Sequence, residues 1–178
     1  GGSPAPPGAA GAPKVNVLLS SEHPRGGAAA RRLRAKARAF LAAVGRADAE
    51  LSILLTGDAG IRRLNRRWRG KDRATDVLSF PLSDPPGASP LLGDVVISLD
   101  TAARRGGRDA RTVNRELDRY LAHGLLHLLG YDHVRRADAV AMAAREEELV
   151  RADGLVGAVM RQERSRRAGS APRRRKKG

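Results

Sequence analysis

The 178-residue chain contains no cysteine. Disulfides and thiolate metal ligands are therefore excluded, and the composition fits a reducing compartment such as the cytoplasm. Aromatic residues make up only 3%, with two Phe, two Tyr and one Trp, so any core must be built from aliphatic side chains and alanine. There is no run of 18 or more apolar residues, which excludes a transmembrane helix. The N-terminus lacks a charged region followed by an apolar core, so no secretory signal is expected. No internal repeat is found. Acidic residues are scarce beside basic ones, 19 against 34, for a net charge of +15.

Histidine is scarce as well, and its placement is uneven. Three of the four histidines fall within the stretch from His123 to His133. His123 and His127 are four apart, so on a helix their rings leave one face. Gly130 can end that helix in a left-handed conformation and let the chain bring His133 back to the same point. Three imidazoles leave a fourth position open, which is the ligand count of a catalytic zinc centre. A single histidine on an apolar helix is usually a hydrogen-bonded core residue. Three with a glycine breaker between the second and third point to a metal. One group of zinc proteases shares the spacing but has glutamate after the first histidine, as its general base. Here that position is Gly124, which argues against peptide hydrolysis by that route.

The charge is unevenly spread. Residues 161–178 hold nine Arg or Lys and one Glu, a net of +8, which leaves +7 on the rest. Such a balance favours a polyanionic partner, nucleic acid first and anionic membrane second. Arginine abundance also accompanies GC-rich coding, and basic tails can serve solubility alone.

Residues 1–13 are Gly, Ala and Pro with few other types, and read as a disordered arm. Strands are predicted at 15–19, 51–56, 75–80 (stopped by Pro81) and 92–98, with 81–90 a proline-rich loop. Helices are predicted over 28–44, after a cap at Asp58, over 99–105, from Asn114 to Leu129, and over 135–152 with Gly154 closing it. The expectation is a single α+β domain over 14–155, with a small mixed sheet of about four strands and about five helices, and a basic flexible tail over 156–178.

The stretch His123-Gly124-x-x-His127-Leu128-Leu129-Gly130-Tyr131-Asp132-His133 resembles the signature of the YbeY endoribonucleases, also called rRNA maturation factors. Leu64-Asn65-x-x-Trp68-Arg69-Gly70-Lys71-Asp72, followed by Thr75-Asp76-Val77-Leu78-Ser79-Phe80-Pro81, is similar to a second block of that family. Leu92-Gly93-Asp94-Val95-Val96-Ile97-Ser98 is similar to a third, and Glu116-Leu117 also fits. The blocks run in family order across roughly Lys14 to Gly154. Two positions depart: Ala74 stands where the family commonly has proline, and Trp68 where it often has tyrosine. The resemblance implies an α+β fold with a central mixed sheet and a zinc-type ion held by three histidines. It also implies cleavage of single-stranded RNA, in maturation of ribosomal RNA (16S 3′ end processing) and ribosome quality control. Small ribosomal subunit proteins are the implied partners.

On this reading His123, His127 and His133 hold one Zn²⁺, or another divalent ion such as Ni²⁺. The metal can lower the pKa of a bound water to about 7 and polarise a phosphoryl oxygen. The resemblance matches Arg69 to the family's arginine beside the cleft, where its planar donor fork suits phosphate oxygens; Arg69 and His123 are the expected catalytic residues. Lys71 is a candidate phosphate contact, and Arg173, Arg174 and Arg175 of the tail are candidates for contacts that are not sequence specific. Asp132 can orient a histidine, shuttle a proton, or simply cap the turn after Gly130. Asp76 and Asp94 can bind backbone amides in turns. Trp68 could stack on a base, although a lone tryptophan is more often core. Two other readings stand beside the ribonuclease: a non-catalytic ribosome assembly factor with a structural metal, and a zinc peptidase-like hydrolase. A fourth protein ligand such as Asp132 would favour the former.

Overall fold

Alternating and helical apolar patterns divide residues 16–151, the part described in the computed structural model, into four strands and five helices. In chain order they are β1 (Val17–Ser21), α1 (Gly27–Ala43), β2 (Glu50–Thr56), α2 (Asp58–Arg69), β3 (Val77–Pro81), β4 (Leu91–Ser98), α3 (Leu99–Gly106) and α4 (Ala110–Leu128). A fifth helix, α5, follows over residues 136–151. The strands form one mixed sheet in the order β1-β2-β4-β3. β2 runs parallel to both β1 and β4, whereas β3 is antiparallel to β4 and forms an edge. This is the α+β class with a mixed sheet that the element pattern implies.

The sheet is covered on both faces, and alternation decides which residue goes where. Leu51, Ile53, Leu55, Val95 and Ile97 point to one face, where Leu33, Ala37, Phe40 and Leu41 of α1 and Leu117, Leu121, Leu125 and Leu128 of α4 complete the main core. Leu78 and Val96 point to the other face and meet Ile61 of α2 in a smaller cluster. β4 lies between two strands and under helices on both faces, which is why its sequence reads as an almost continuous apolar run. α1 is further tied to α4 by Arg32 and Lys36, which both reach the buried Asp118, at 2.5 and 3.6 Å.

Several boundaries differ from the expectation. β1 starts two residues later, at Val17, and residues 14 and 15 lie outside the described part, as does Gly154. β3 begins at Val77, because Asp76 turns its carboxylate onto the Val77 N–H at 2.8 Å instead of continuing the strand. Pro81 is the last residue of β3, not its stop: proline is tolerated on an edge strand. α4 starts at Ala110, a full turn earlier than Asn114, because Asp109 caps it by accepting from the Arg111 N–H at 3.0 Å. Asp58 does not cap α2. The N-cap position is Gly57, and the Asp58 N–H is instead satisfied by Asp100 of α3, at 2.9 Å. The Asp58 carboxylate accepts from Ser98 Oγ (2.7 Å) and Thr101 Oγ1 (2.8 Å), and pairs with Arg104. The cap exists, but it comes from an element 42 residues away.

Candidate metal centre

α4 packs its leucines against the sheet, and the same register turns His123 and His127 to a cleft beside the edge strand β3. Both rings are half-buried. After Leu129 the chain turns sharply: the Gly130 N–H donates to the His127 carbonyl and the Tyr131 N–H to the Leu126 carbonyl, each at 3.0 Å. Gly130 holds φ +94°, a conformation that disfavours any side chain. The turn returns the exposed His133 to the other two. Nitrogens of the three imidazoles all lie within 4.8 Å of one another, and the Nε2 atoms of His123 and His127 are 3.1 Å apart. Such a group could hold a metal ion.

The chemistry around the rings fits that use. Burial and the neighbouring imidazoles of His123 and His133 hold the His127 pKa below its ordinary value, which keeps a nitrogen lone pair available. His123 Nδ1 lies 3.0 Å from Glu146 Oε2 on α5. A carboxylate at Nδ1 fixes the tautomer with the proton there, and directs the Nε2 lone pair to the centre. Glu146 was not among the residues the sequence singled out. Arg119 holds it in turn at 3.6 Å. Behind His123, Arg105 pairs with Asp76 at 2.8 Å and contacts the Tyr120 hydroxyl at 3.3 Å. Burial first, and then hydrogen bonding with Glu116, push the Tyr120 pKa up to about 12, so the phenol stays protonated at neutral pH.

Gly124 has a packing reason to be glycine. A Cβ there would lie 2.7 Å from Val95 Cγ1 and 3.2 Å from Ser79 Oγ, and Ser79 Oγ donates to the Gly124 carbonyl at 3.1 Å. The position that bears a protease's glutamate is therefore pressed onto the sheet, with no room for a carboxylate. Asp132 also resolves to its simplest role. Its Oδ1 accepts from the backbone N–H groups of His133 (2.6 Å) and Val134 (3.2 Å), which caps the turn that carries His133. Among the described residues, the metal-competent group is the three histidines without Asp132.

The same cleft, which has a volume of about 680 Å³, is also lined by Arg69 and Lys71. α2 ends at Gly70, whose φ of +67° lets its N–H reach the Arg66 carbonyl while the Lys71 N–H reaches the Asn65 carbonyl. That reversal sets both cations at the cleft. Arg69 donates to the Ser79 carbonyl on β3 at 2.9 Å, which fixes its guanidinium beside the histidines' cleft. Trp68 is not core: it is 62% exposed, because it lies at the end of α2 beyond the small cluster. Arg173, Arg174 and Arg175, with the rest of the tail and the residue 1–13 arm, lie outside the described residues. No helix among the described residues is long and apolar enough to cross a membrane.

Known proteins share both the fold and much of the sequence. A solution structure of a Thermotoga maritima protein shares the fold, with a TM-score of 0.56 at 23% identity, over 90% of this chain and 99% of that one. Among curated relatives, an "Endoribonuclease YbeY" of Anaeromyxobacter sp. is 73% identical, over 83% of this chain and 77% of its own length. One from Anaeromyxobacter dehalogenans is 71% identical, over 87% and 81%. One from Myxococcus xanthus is 53% identical, over 79% and 49%. The family profile described as "Endoribonuclease YbeY" matches residues 26–153, and the chain belongs to that family.

Proposed function

We propose that this chain cuts single-stranded ribosomal RNA at the three-histidine cleft, in 16S 3′ end maturation and ribosome quality control. Endoribonuclease activity, and hence an RNA substrate, goes with the family. The observation that carries the finer reading is the convergence of His123, His127 and His133 in one cleft that Arg69 and Lys71 also line. The three imidazoles would hold Zn²⁺, with Ni²⁺ as the alternative, since nitrogen donors suit both. Bound there, the ion would supply Lewis acidity at the scissile phosphate.

The chain's own groups do the rest. Glu146 keeps the proton of His123 on Nδ1, so that His123 serves the centre through Nε2. Arg69 gives one donor to Ser79 and lines the cleft, where its remaining donors would grip the non-bridging phosphate oxygens as negative charge builds up. Lys71 adds a point charge beside it. The working unit is residues 14–155, acting in the cytoplasm with the small ribosomal subunit and its proteins. The tail, Arg173 to Arg175 included, would add affinity that falls steeply with salt through counterion release.

The test pairs metal with cleavage. Bound metal is quantified in the parent and in His127→Ala, and both are assayed on ribosomal RNA fragments with a chelator control. About one zinc per chain with cutting in the parent, and loss of both in the variant, is expected. Stoichiometric metal with no RNA cut at any salt concentration would turn the reading to an assembly factor with a structural metal. In the same assay, removal of residues 161–178 should weaken RNA binding at physiological salt and leave the metal content unchanged.

A further inference from the structure

The C-terminal arm of α2 leads away from the cleft as a run of cations with one large aromatic. Residues 62–73 contain six arginines and Lys71 against a single acid, Asp72, which is taken by Arg62 at 2.9 Å. Arg63, Arg66 and Arg67 are exposed, and so is Trp68. An exposed tryptophan in a chain so poor in aromatics is unusual, and its neighbours are arranged around it. The Arg67 guanidinium lies over the ring at 5.2 Å. The ring packs on Phe80 in a T-shaped pair with centroids 6.5 Å apart. Arg69 lies 6.0 Å over Phe80 and lines the cleft. Cation and ring contacts thus run unbroken from Arg67 through Trp68 and Phe80 to Arg69.

The geometry points to Trp68 as a base-stacking subsite for single-stranded RNA that leaves the cleft along α2. This inference rests on the ribonuclease reading and deepens it. A strand whose phosphate is held by Arg69 would continue over the exposed arginines, which neutralise successive phosphates. The bases then need an apolar face, and Trp68 offers one: the ring is exposed, and Phe80 and Arg67 hold its orientation. Stacking of this kind tolerates any base and excludes duplex RNA, whose bases are already stacked. An acidic protein segment would use the arginines but have no need of the ring, so the aromatic is the feature that favours nucleic acid.

Trp68 is the chain's single tryptophan, so its fluorescence reports this place alone. The full-length, metal-loaded protein is titrated with a short 2′-O-methyl oligouridylate and with an abasic strand of the same length and charge. Strand integrity is checked afterwards, and binding is followed in parallel by anisotropy of an end-labelled strand. The base-bearing strand should quench Trp68 and bind roughly tenfold more tightly than the abasic one, and Trp68→Ala should abolish that preference. Equal binding of both strands without quenching overturns the stacking subsite, while ribosomal RNA cleavage by the same preparation leaves the ribonuclease reading intact. Failure to bind or cut any RNA overturns both.

Discussion

The two faces of the sheet are built to different standards. On one, α1 and α4 bury a large aliphatic core, and α4 carries His123 and His127 as part of the same rigid element. On the other, α2 sets Ile61 against Leu78 and Val96 in a smaller cluster edged by the partly buried Leu54, Leu64, Ala74 and Phe80, and its far end carries Trp68, Arg69 and a cluster of exposed arginines. The contrast matches what each side is asked to do. A group that could hold a metal must converge closely, and two of its three histidines sit on the well-packed α4 while the capped turn after it returns the third. Contacts to a flexible polyanion, as proposed for the α2 arm, would tolerate displacement, and that arm is where packing is thin and water reaches the charges. A tightly packed face also rejects new atoms, whereas an exposed arm accepts them.

The sharpest test of that contrast is one substitution on each side. Gly124→Glu would drive a side chain into Val95 and Ser79 and leave a carboxylate without solvent. Overpacking and an unpaired buried polar group together should cost about 3 kcal/mol or more. Trp68→Ala, on the exposed arm, should stay within about 0.5 kcal/mol of the parent. Urea unfolding followed by circular dichroism measures both. Equal stabilities would mean that α4 is not pressed on the sheet as described, and would reopen position 124 to a catalytic group.

A smaller effect is expected where α5 supports the centre from behind. Glu146→Ala removes the acceptor at His123 Nδ1 and should weaken metal binding about 10- to 100-fold in a chelator competition. Glu146→Gln keeps an acceptor without the charge and should fall between the variant and the parent. If metal affinity is unchanged in both, the histidines are held by α4 and its turn without help from α5, and Glu146 serves only the packing of α5.

What could be read from the chain before its structure follows from how local each feature is. The histidine spacing and the Gly130 breaker lie within one helix and its turn, and both read correctly. So did the sheet class, because each strand announces itself by its own short pattern. Glu146 was invisible because it meets His123 across 23 residues and stands first in a run of three glutamates, any of which the sequence would allow. Gly124 looked like a lost base, and only the register of α4 against β4 shows it to be a point of close approach. Composition alone favours a core place for Trp68, but burial depends on where α2 ends relative to the sheet. Local pattern suggests a capping role for Asp58, whereas its real partners, on β4 and α3, are about forty residues away.

Those partners supply the last and smallest test. With few apolar contacts, α2 depends on a polar anchor at its start: Asp100 on the Asp58 N–H, and Ser98, Thr101 and Arg104 on the Asp58 carboxylate. Burial alone would raise the Asp58 pKa, but the hydrogen bonds from Ser98, Thr101 and Arg104 outweigh it and hold the pKa below the ordinary 3.8. The backbone N–H of Asp58 does the same for Asp100, against a smaller opposing effect of burial. A carboxylate whose pKa is depressed on folding stabilises the fold fully above its unfolded pKa, and that contribution is lost as pH falls through the folded value. Asp58→Asn should therefore cost about 1–2 kcal/mol at neutral pH, as expected for hydrogen bonds to a charged group. The gap from the parent should narrow once pH drops below 3.8, where the parent carboxylate is itself being protonated. Urea midpoints of both proteins across that range measure it. A gap that stays constant with pH would show that shape and not charge secures α2, and the thin face would then be held by its few apolar contacts after all.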